Sequence, residues 1–121
     1  MEVEILVLAD DYSGYSSPFL AQHGVSYLIK YSRRGEKVRV LFDVGTYFEP
    51  LEFNARLLGE EFRELDYVVL SHCHYDHTGG LAGLIRRVND LRIVAHPEIT
   101  RESYAEGHEG NVGIPRKVLK E

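Results

Sequence analysis

The feature that most constrains the fold is a set of short runs, YVVL, RIVA and VLF, that are apolar at nearly every position. Strands buried on both faces have this composition, whereas strands with one face in water alternate apolar and polar residues. Turn residues and helical patterns separate the runs, which is typical of an α/β domain. We therefore expect a sheet that is covered on both faces.

The pattern predicts five strands and two crossover helices. The strands are expected at residues 3–8, 25–31, 38–43, 67–71 and 91–95. The polar turn at 32–36 should join the second and third strands as an antiparallel hairpin. Apolar residues at helical spacing predict helices over about 50–63 and 81–89. Each helix then links parallel strands, which gives a mixed sheet; if successive crossovers step in one direction, both helices lie on one face.

The opposite face of this sheet has no predicted cover. After Ala95 the sequence offers a plausible short helix at 97–105 and a glycine-rich tail at 107–115. These segments are too short and too polar to cover an apolar sheet face. We therefore expect a partner there, either a second half-domain or a second copy of the chain.

Size, charge and composition narrow the functional classes. The chain has 121 residues, which is enough for one domain, and a net charge of −5 without a basic stripe. Nucleic acid is therefore an unlikely partner compared with a small-molecule substrate. The single cysteine excludes an internal disulfide, and the acidic start differs from a signal peptide, so the expected location is the cytoplasm. No apolar run reaches the roughly 18 residues of a membrane span.

The motif that carries chemistry is SHCHYDHTGG at residues 71–80, directly after an apolar strand. It contains three of the six histidines of the chain within six residues. Imidazole and carboxylate groups suit Zn²⁺, and also manganese, iron or cobalt. The spacing cannot place all of the groups on one helix face, so a loop must wrap the metal. His72 and His74 can converge on one ion while Asp76 and His77 turn to a second ion.

Further candidates should gather at the same edge of the sheet, because parallel strands end there. For Asp43, two interpretations stay open: it orients a metal-binding histidine, or it caps the following turn. His23 and His96 are candidate substrate contacts at the rim, with solvent-facing loop histidines as the alternative. Tyr75 lies inside the ligand loop and is a further rim candidate.

These residues resemble the metallo-β-lactamase superfamily, through LFDVG and the later VVLSHCHYDHTGG. The segments AQHGVSYLI, VAHPE and NVGIP are similar to the branch of dihydropterin-ribofuranosyl-aminobenzene phosphate synthases. The resemblance implies an αββα sandwich of two similar halves, of which residues 1–121 contain the first. It assigns His72 and His74 to one metal and Asp76 and His77 to the other. The remaining metal ligands are expected in the second half.

The resemblance implies a metal-dependent hydrolase-type enzyme with two Zn²⁺ per complete site, Mn²⁺ or Fe²⁺ being possible substitutes. Asp76 is then both a ligand and the catalytic group that accepts a proton from the nucleophile. The synthase branch instead implies displacement of a phosphate-type leaving group. Two alternatives stay open: a non-catalytic metal-binding half-domain that dimerises, and a nuclease of the same superfamily.

Overall fold

The computed structural model describes residues 1–119 as a five-stranded mixed sheet with helices packed on one face. The strands are β1 Glu2–Ala9, β2 Ser26–Arg33, β3 Glu36–Phe42, β4 Tyr67–Val69 and β5 Ile93–Val94. The helices are α1 Phe48–Leu57, α2 Tyr75–Thr78, α3 Leu81–Arg87 and α4 Arg116–Leu119, with a 3-10 helix at Phe62–Glu64. Within residues 1–119, no helix has both the length and the apolar character needed to cross a membrane.

The strands of the sheet lie in the order β1-β2-β3-β4-β5. The pairs β1–β2 and β2–β3 are antiparallel, and the pairs β3–β4 and β4–β5 are parallel, as predicted for the hairpin and the strands that follow it. The carboxyl ends of β3 and β4 therefore meet at one edge, where the Asp43 N–H donates to the Val69 carbonyl at 2.9 Å. This edge positions the loop that follows β4.

Several predicted element boundaries are wrong by a few residues. Helix α1 begins at Phe48 and ends at Leu57, because Gly59 follows with φ +74° and turns the chain away. Strand β5 contains two residues rather than five. The helix expected at 97–105 does not form: two successive turns, at 96–99 and 98–101, replace it.

The helix-covered face of the sheet is the core. Leu8, Leu28, Leu41 and Val68 alternate with outward residues along four strands and are at most 2% exposed. They pack in one cluster with apolar side chains of α1 and α3, and the two helices contact each other. Ile114 and Val118 from the tail join the same cluster. Both helices therefore lie on one face, as predicted.

The other face is apolar and without cover from residues 1–119. Ile5, Ile29, Val40 and Tyr67 form a continuous row across four strands in register. Ile5 is 59% exposed, and its outward neighbour Val7 is 50% exposed. Large exposed apolar patches are typical of interaction surfaces and ligand-binding grooves.

Candidate metal centre

The ligand loop, residues 71–80, is fastened to the turn after β3 by main-chain contacts. The Val44 N–H donates to the His77 carbonyl at 2.9 Å. A Cβ atom placed on Gly79 would lie 2.2 Å from the Thr46 carbonyl oxygen, and one on Gly80 would lie 2.2 Å from that of Val44. Two consecutive glycines are therefore needed for the loop to approach the turn this closely.

The Asp43 carboxylate lies beneath the loop and is 1% exposed. Its backbone has φ +58°, a left-handed conformation that aspartate tolerates better than most residues. Oδ1 accepts the Ser71 N–H at 2.8 Å. Oδ2 accepts the Ser71 hydroxyl at 2.6 Å and the His77 Nδ1–H at 2.7 Å. The carboxylate thus holds both the start of the loop and one of its histidines.

His72 is held through the same carboxylate by way of Ser71. The Ser71 Oγ lies 2.8 Å from His72 Nδ1. Because this hydroxyl donates its proton to Asp43, its oxygen accepts from His72 Nδ1–H, which assigns the tautomer from the hydrogen-bond network. Partial burial, and then the neighbouring His77 and His74, keep the pKa of His72 below its ordinary value. Both effects favour the neutral imidazole with its proton on Nδ1, which leaves the lone pair on Nε2.

The structure brings the four motif residues together at this edge. The ring centroid of His72 lies 4.2 Å from that of His77 and 4.7 Å from that of His74. Donor atoms of Asp43, His72 and His77 all lie within 4.8 Å of one another, close enough to surround an ion. Asp76 Oδ2 lies 3.4 Å from His77 Nε2. Neutral imidazoles beside carboxylates are a donor set that fits zinc and similar divalent metals.

The rim candidates flank this cluster on two sides. His23 Nε2 lies 3.4 Å from Asp76 Oδ2, and its Nδ1 lies 3.2 Å from Asp11 Oδ1. His23 and Tyr75 line a pocket of about 160 Å³. His96 lines a separate groove of about 300 Å³ with His72, and its Nδ1 accepts the N–H of Glu98. The sequence thus predicted that His23, Tyr75 and His96 lie around the cluster, but it did not predict which residues they contact.

Three contacting residues were not anticipated from the sequence. Ser71 connects Asp43 to His72, and the signal was its place directly before the motif. Asp11 pairs with His23 from the loop after β1. Ser103 Oγ lies 3.2 Å from His74 Nε2, although the two residues are 29 positions apart. No local pattern marks Ser103 as part of the site.

Comparisons with known proteins agree with this fold. A family model of the metallo-beta-lactamase superfamily matches residues 21–117. Over 121 residues the chain is 46% identical to 7,8-dihydropterin-6-methyl-4-(beta-D-ribofuranosyl)-aminobenzene-5'-phosphate synthase of Methanocaldococcus jannaschii, which covers 98% of the chain and 41% of that protein. An uncharacterized protein of the same organism is 41% identical over 121 residues, covering 96% of the chain and 41% of that protein.

A metallo-beta-lactamase of Cronobacter sakazakii aligns with a TM-score of 0.58 and 22% identity, over 78% of the chain and 38% of that structure. This likeness concerns the fold. The chain spans about two fifths of the length of the curated relatives it matches.

Proposed function

The chain belongs to the metallo-beta-lactamase superfamily, and we propose that it is the metal-binding half of a metal-dependent enzyme of that superfamily. One observation carries this proposal. Each motif histidine has one ring nitrogen at hydrogen-bond distance from a protein oxygen, supplied by Ser71, Asp43 or Ser103. Histidines that ligate metals are held in this way, so that the second nitrogen points to the ion.

We assign His72 and His74 to one ion and Asp76 and His77 to a second. Asp43 is the orienting acceptor and not a ligand, although its oxygens lie near the histidines. Both oxygens already accept hydrogen bonds, three in total, and the side chain is almost fully buried. Zn²⁺ is the first choice of metal, and Mn²⁺ or Fe²⁺ would accept the same donors.

When bound, the metals would supply Lewis-acid polarisation and a water of lowered pKa. The Asp76 carboxylate lies 3.4 Å from both His23 Nε2 and His77 Nε2. It is placed to accept a proton from the attacking group while His77 stays fixed by Asp43. His23, Tyr75 and His96 line the flanking pockets and are proposed to contact a small-molecule substrate.

We propose that a second half-domain, encoded in a longer polypeptide, covers the apolar sheet face and supplies the remaining ligands. Two observations support this: the chain spans 41% of its synthase relative, and the row from Ile5 to Tyr67 lacks cover among the described residues. For the reaction, hydrolysis is the general chemistry of the proposed class. The synthase relative favours a more specific one, displacement of a phosphate-type leaving group by an aromatic carbon or amine to form a dihydropterin–aminobenzene phosphate product.

The first test is metal binding by the 121-residue chain, measured by elemental analysis after dialysis against Zn²⁺. Wild type is expected to retain Zn²⁺, and His72→Ala and His77→Ala are expected to lose it. Lys37→Ala is the control, because Lys37 is exposed near the start of β3, at the opposite end of that strand from Asp43. Equal Zn²⁺ content in wild type and both motif variants would contradict the proposal. Addition of the second half should raise the content to two ions per site.

The second candidate is a non-catalytic half-domain that forms a homodimer, favoured by the same row of apolar residues. Light scattering separates the two candidates. A stable mass of twice 13.8 kDa that Ile29→Lys reduces to one chain, without enzyme activity after the second half is added, would favour the homodimer. A monomer that associates with the second half would favour the enzyme.

A further inference from the structure

The segment after β5 returns across the ligand loop and is bonded to it through main-chain groups. The Tyr75 N–H, at the start of α2, donates to the Val112 carbonyl at 3.0 Å. The Val112 N–H in turn donates to the Ser103 carbonyl at 2.7 Å. Val112 is 7% exposed. Residues 103 and 112 are therefore fixed relative to the loop that carries His74.

The Asn111 side chain links two parts of this segment through hydrogen bonds. The Asn111 Oδ1 accepts the N–H of Ser103 at 2.8 Å and the N–H of Gly113 at 2.9 Å. The backbone of Ser103 is thus held by two hydrogen bonds, one on its N–H and one on its carbonyl. Its hydroxyl takes part in neither, and Oγ lies 3.2 Å from His74 Nε2.

This contact limits what His74 can offer to a metal. A neutral imidazole has one N–H and one lone pair, and its tautomer is set by the partner of either nitrogen. The other two motif histidines donate through Nδ1, to Ser71 and Asp43. His74 differs because the nitrogen in contact with a protein oxygen is Nε2, so Nδ1 is the nitrogen that could bind a metal.

We propose that Ser103 is a positioning residue for the metal centre: its hydroxyl oxygen accepts the His74 Nε2–H, fixes that tautomer and directs the Nδ1 lone pair to the metal. The inference rests on the proposed metal-binding function and adds a residue from outside the motif. It also gives a role to residues 103–113, because Asn111 and Val112 hold the Ser103 backbone in position beside His74.

The tautomer can be measured in the metal-free 121-residue chain by ¹⁵N NMR of the histidine side chains. We expect His74 to carry its proton on Nε2 in wild type, and Ser103→Ala to lose this preference. Ser103→Thr, which keeps the hydroxyl, should restore it. Ser32→Ala, a serine on β2 without a role at the site, is the matched control. A wild-type His74 protonated on Nδ1 would overturn the inference.

Metal affinity is the second measurement, with Zn²⁺ as the probe. Loss of a hydrogen bond that orients a ligand typically lowers affinity by about 10–100-fold, so Ser103→Ala should bind Zn²⁺ more weakly by this factor while Ser103→Thr does not. Unchanged affinity and an unchanged tautomer in Ser103→Ala would overturn the inference. If circular dichroism shows that Ser103→Ala does not fold, the inference is tested by the His74 tautomer of the wild-type chain alone.

The two proposals fail in different ways. A wild-type chain with the Nε2–H tautomer that binds no Zn²⁺ before or after the second half is added would contradict the metal-binding function and support the positioning contact. A chain that binds Zn²⁺ through His72 and His77 but has the opposite His74 tautomer would contradict the role of Ser103 alone.

Discussion

Two buried carboxylates, Glu60 and Asp43, are satisfied in different ways. Glu60 accepts from Lys30 Nζ at 2.7 Å and from Arg39 Nη1 at 2.6 Å, so two permanent cations compensate its charge. Asp43 accepts from the neutral groups of Ser71 and from His77. Among residues 1–119, no lysine or arginine forms an ion pair with Asp43.

This difference separates a structural ion network from a site prepared for a ligand. A buried charge without a compensating partner is costly, and proteins retain one where something else compensates it. Glu60 has its cations within the chain. Asp43 places its charge beside His77 and, through Ser71, close to His72, so a divalent cation on those two imidazoles would complete the compensation. The comparison therefore supports the proposed metal centre on electrostatic grounds.

The largest expected effect is that of Asp43→Asn. The amide keeps the shape of the side chain but replaces one acceptor with a donor, so it cannot accept all three hydrogen bonds. We expect Zn²⁺ affinity to fall about 10–100-fold. Unsatisfied buried groups should also lower the free energy of unfolding of the metal-free chain by about 1–3 kcal/mol. Metal titration and urea denaturation measure the two effects, and full Zn²⁺ affinity in this variant would contradict the orienting role.

Glu60→Gln should show the opposite profile, with a loss of stability and no loss of metal affinity. The Glu60 side chain is 8% exposed, but Lys30 and Arg39 are 29% and 23% exposed, so water partly replaces the lost contacts. We expect the free energy of unfolding to fall by about 1–2 kcal/mol, less than for a fully buried pair. Weaker Zn²⁺ binding by this variant would contradict the assignment of a purely structural role to Glu60.

The pH dependence of stability should sharpen the same contrast. Burial alone would raise the pKa of Glu60, but hydrogen bonds from Lys30 and Arg39 outweigh burial and lower it. Its contribution is therefore present above the unfolded pKa of about 4.3 and is lost as pH falls through the lower folded pKa. The hydrogen bond to Glu60 raises the pKa of Lys30. The contribution of Lys30 to the free energy of unfolding is therefore lost only above its unfolded pKa of about 10.4.

The measurement is the difference in unfolding free energy between wild type and Glu60→Gln as a function of pH. The difference should be constant from about pH 5 to 9 and shrink outside this range on both sides. If the difference in unfolding free energy grew as the pH fell below 4, its sign would be opposite to that expected. The ion pairs of Glu60 with Lys30 and Arg39 would then be excluded as its cause.

The smallest effect is expected at an exposed pair that serves as a reference. Arg63 Nε lies 2.5 Å from Glu61 Oε2, and the two side chains are 76% and 54% exposed. Because exposed ion pairs contribute little, Arg63→Gln should leave the denaturation midpoint and the Zn²⁺ affinity unchanged. A loss comparable to that of Glu60→Gln would show that burial is not what distinguishes these carboxylates.

The sequence predicted the hairpin and the parallel strands because apolar runs and the hairpin turn are local signals. It predicted that the motif residues gather at the sheet edge because the motif directly follows a strand. The helix at 97–105 fails for a physical reason: Asn111 Oδ1 takes the N–H of Ser103. A helix over these residues would direct that N–H to the Ile99 carbonyl. Ser103 itself was unpredictable, since its contact depends on the path of a segment that returns from β5.

The close approach of the ligand loop to its surroundings limits how the site could be transplanted. A Cβ atom on Gly24 would lie 2.1 Å from the Asp76 carbonyl oxygen, as tight as the contacts at Gly79 and Gly80. A protein engineer who grafts residues 71–80 into another scaffold must therefore supply two receiving segments with matching bare backbone. The portable unit is the motif together with the turns at 23–25 and 43–46, which are held together by close main-chain contacts and by the Asp43 carboxylate.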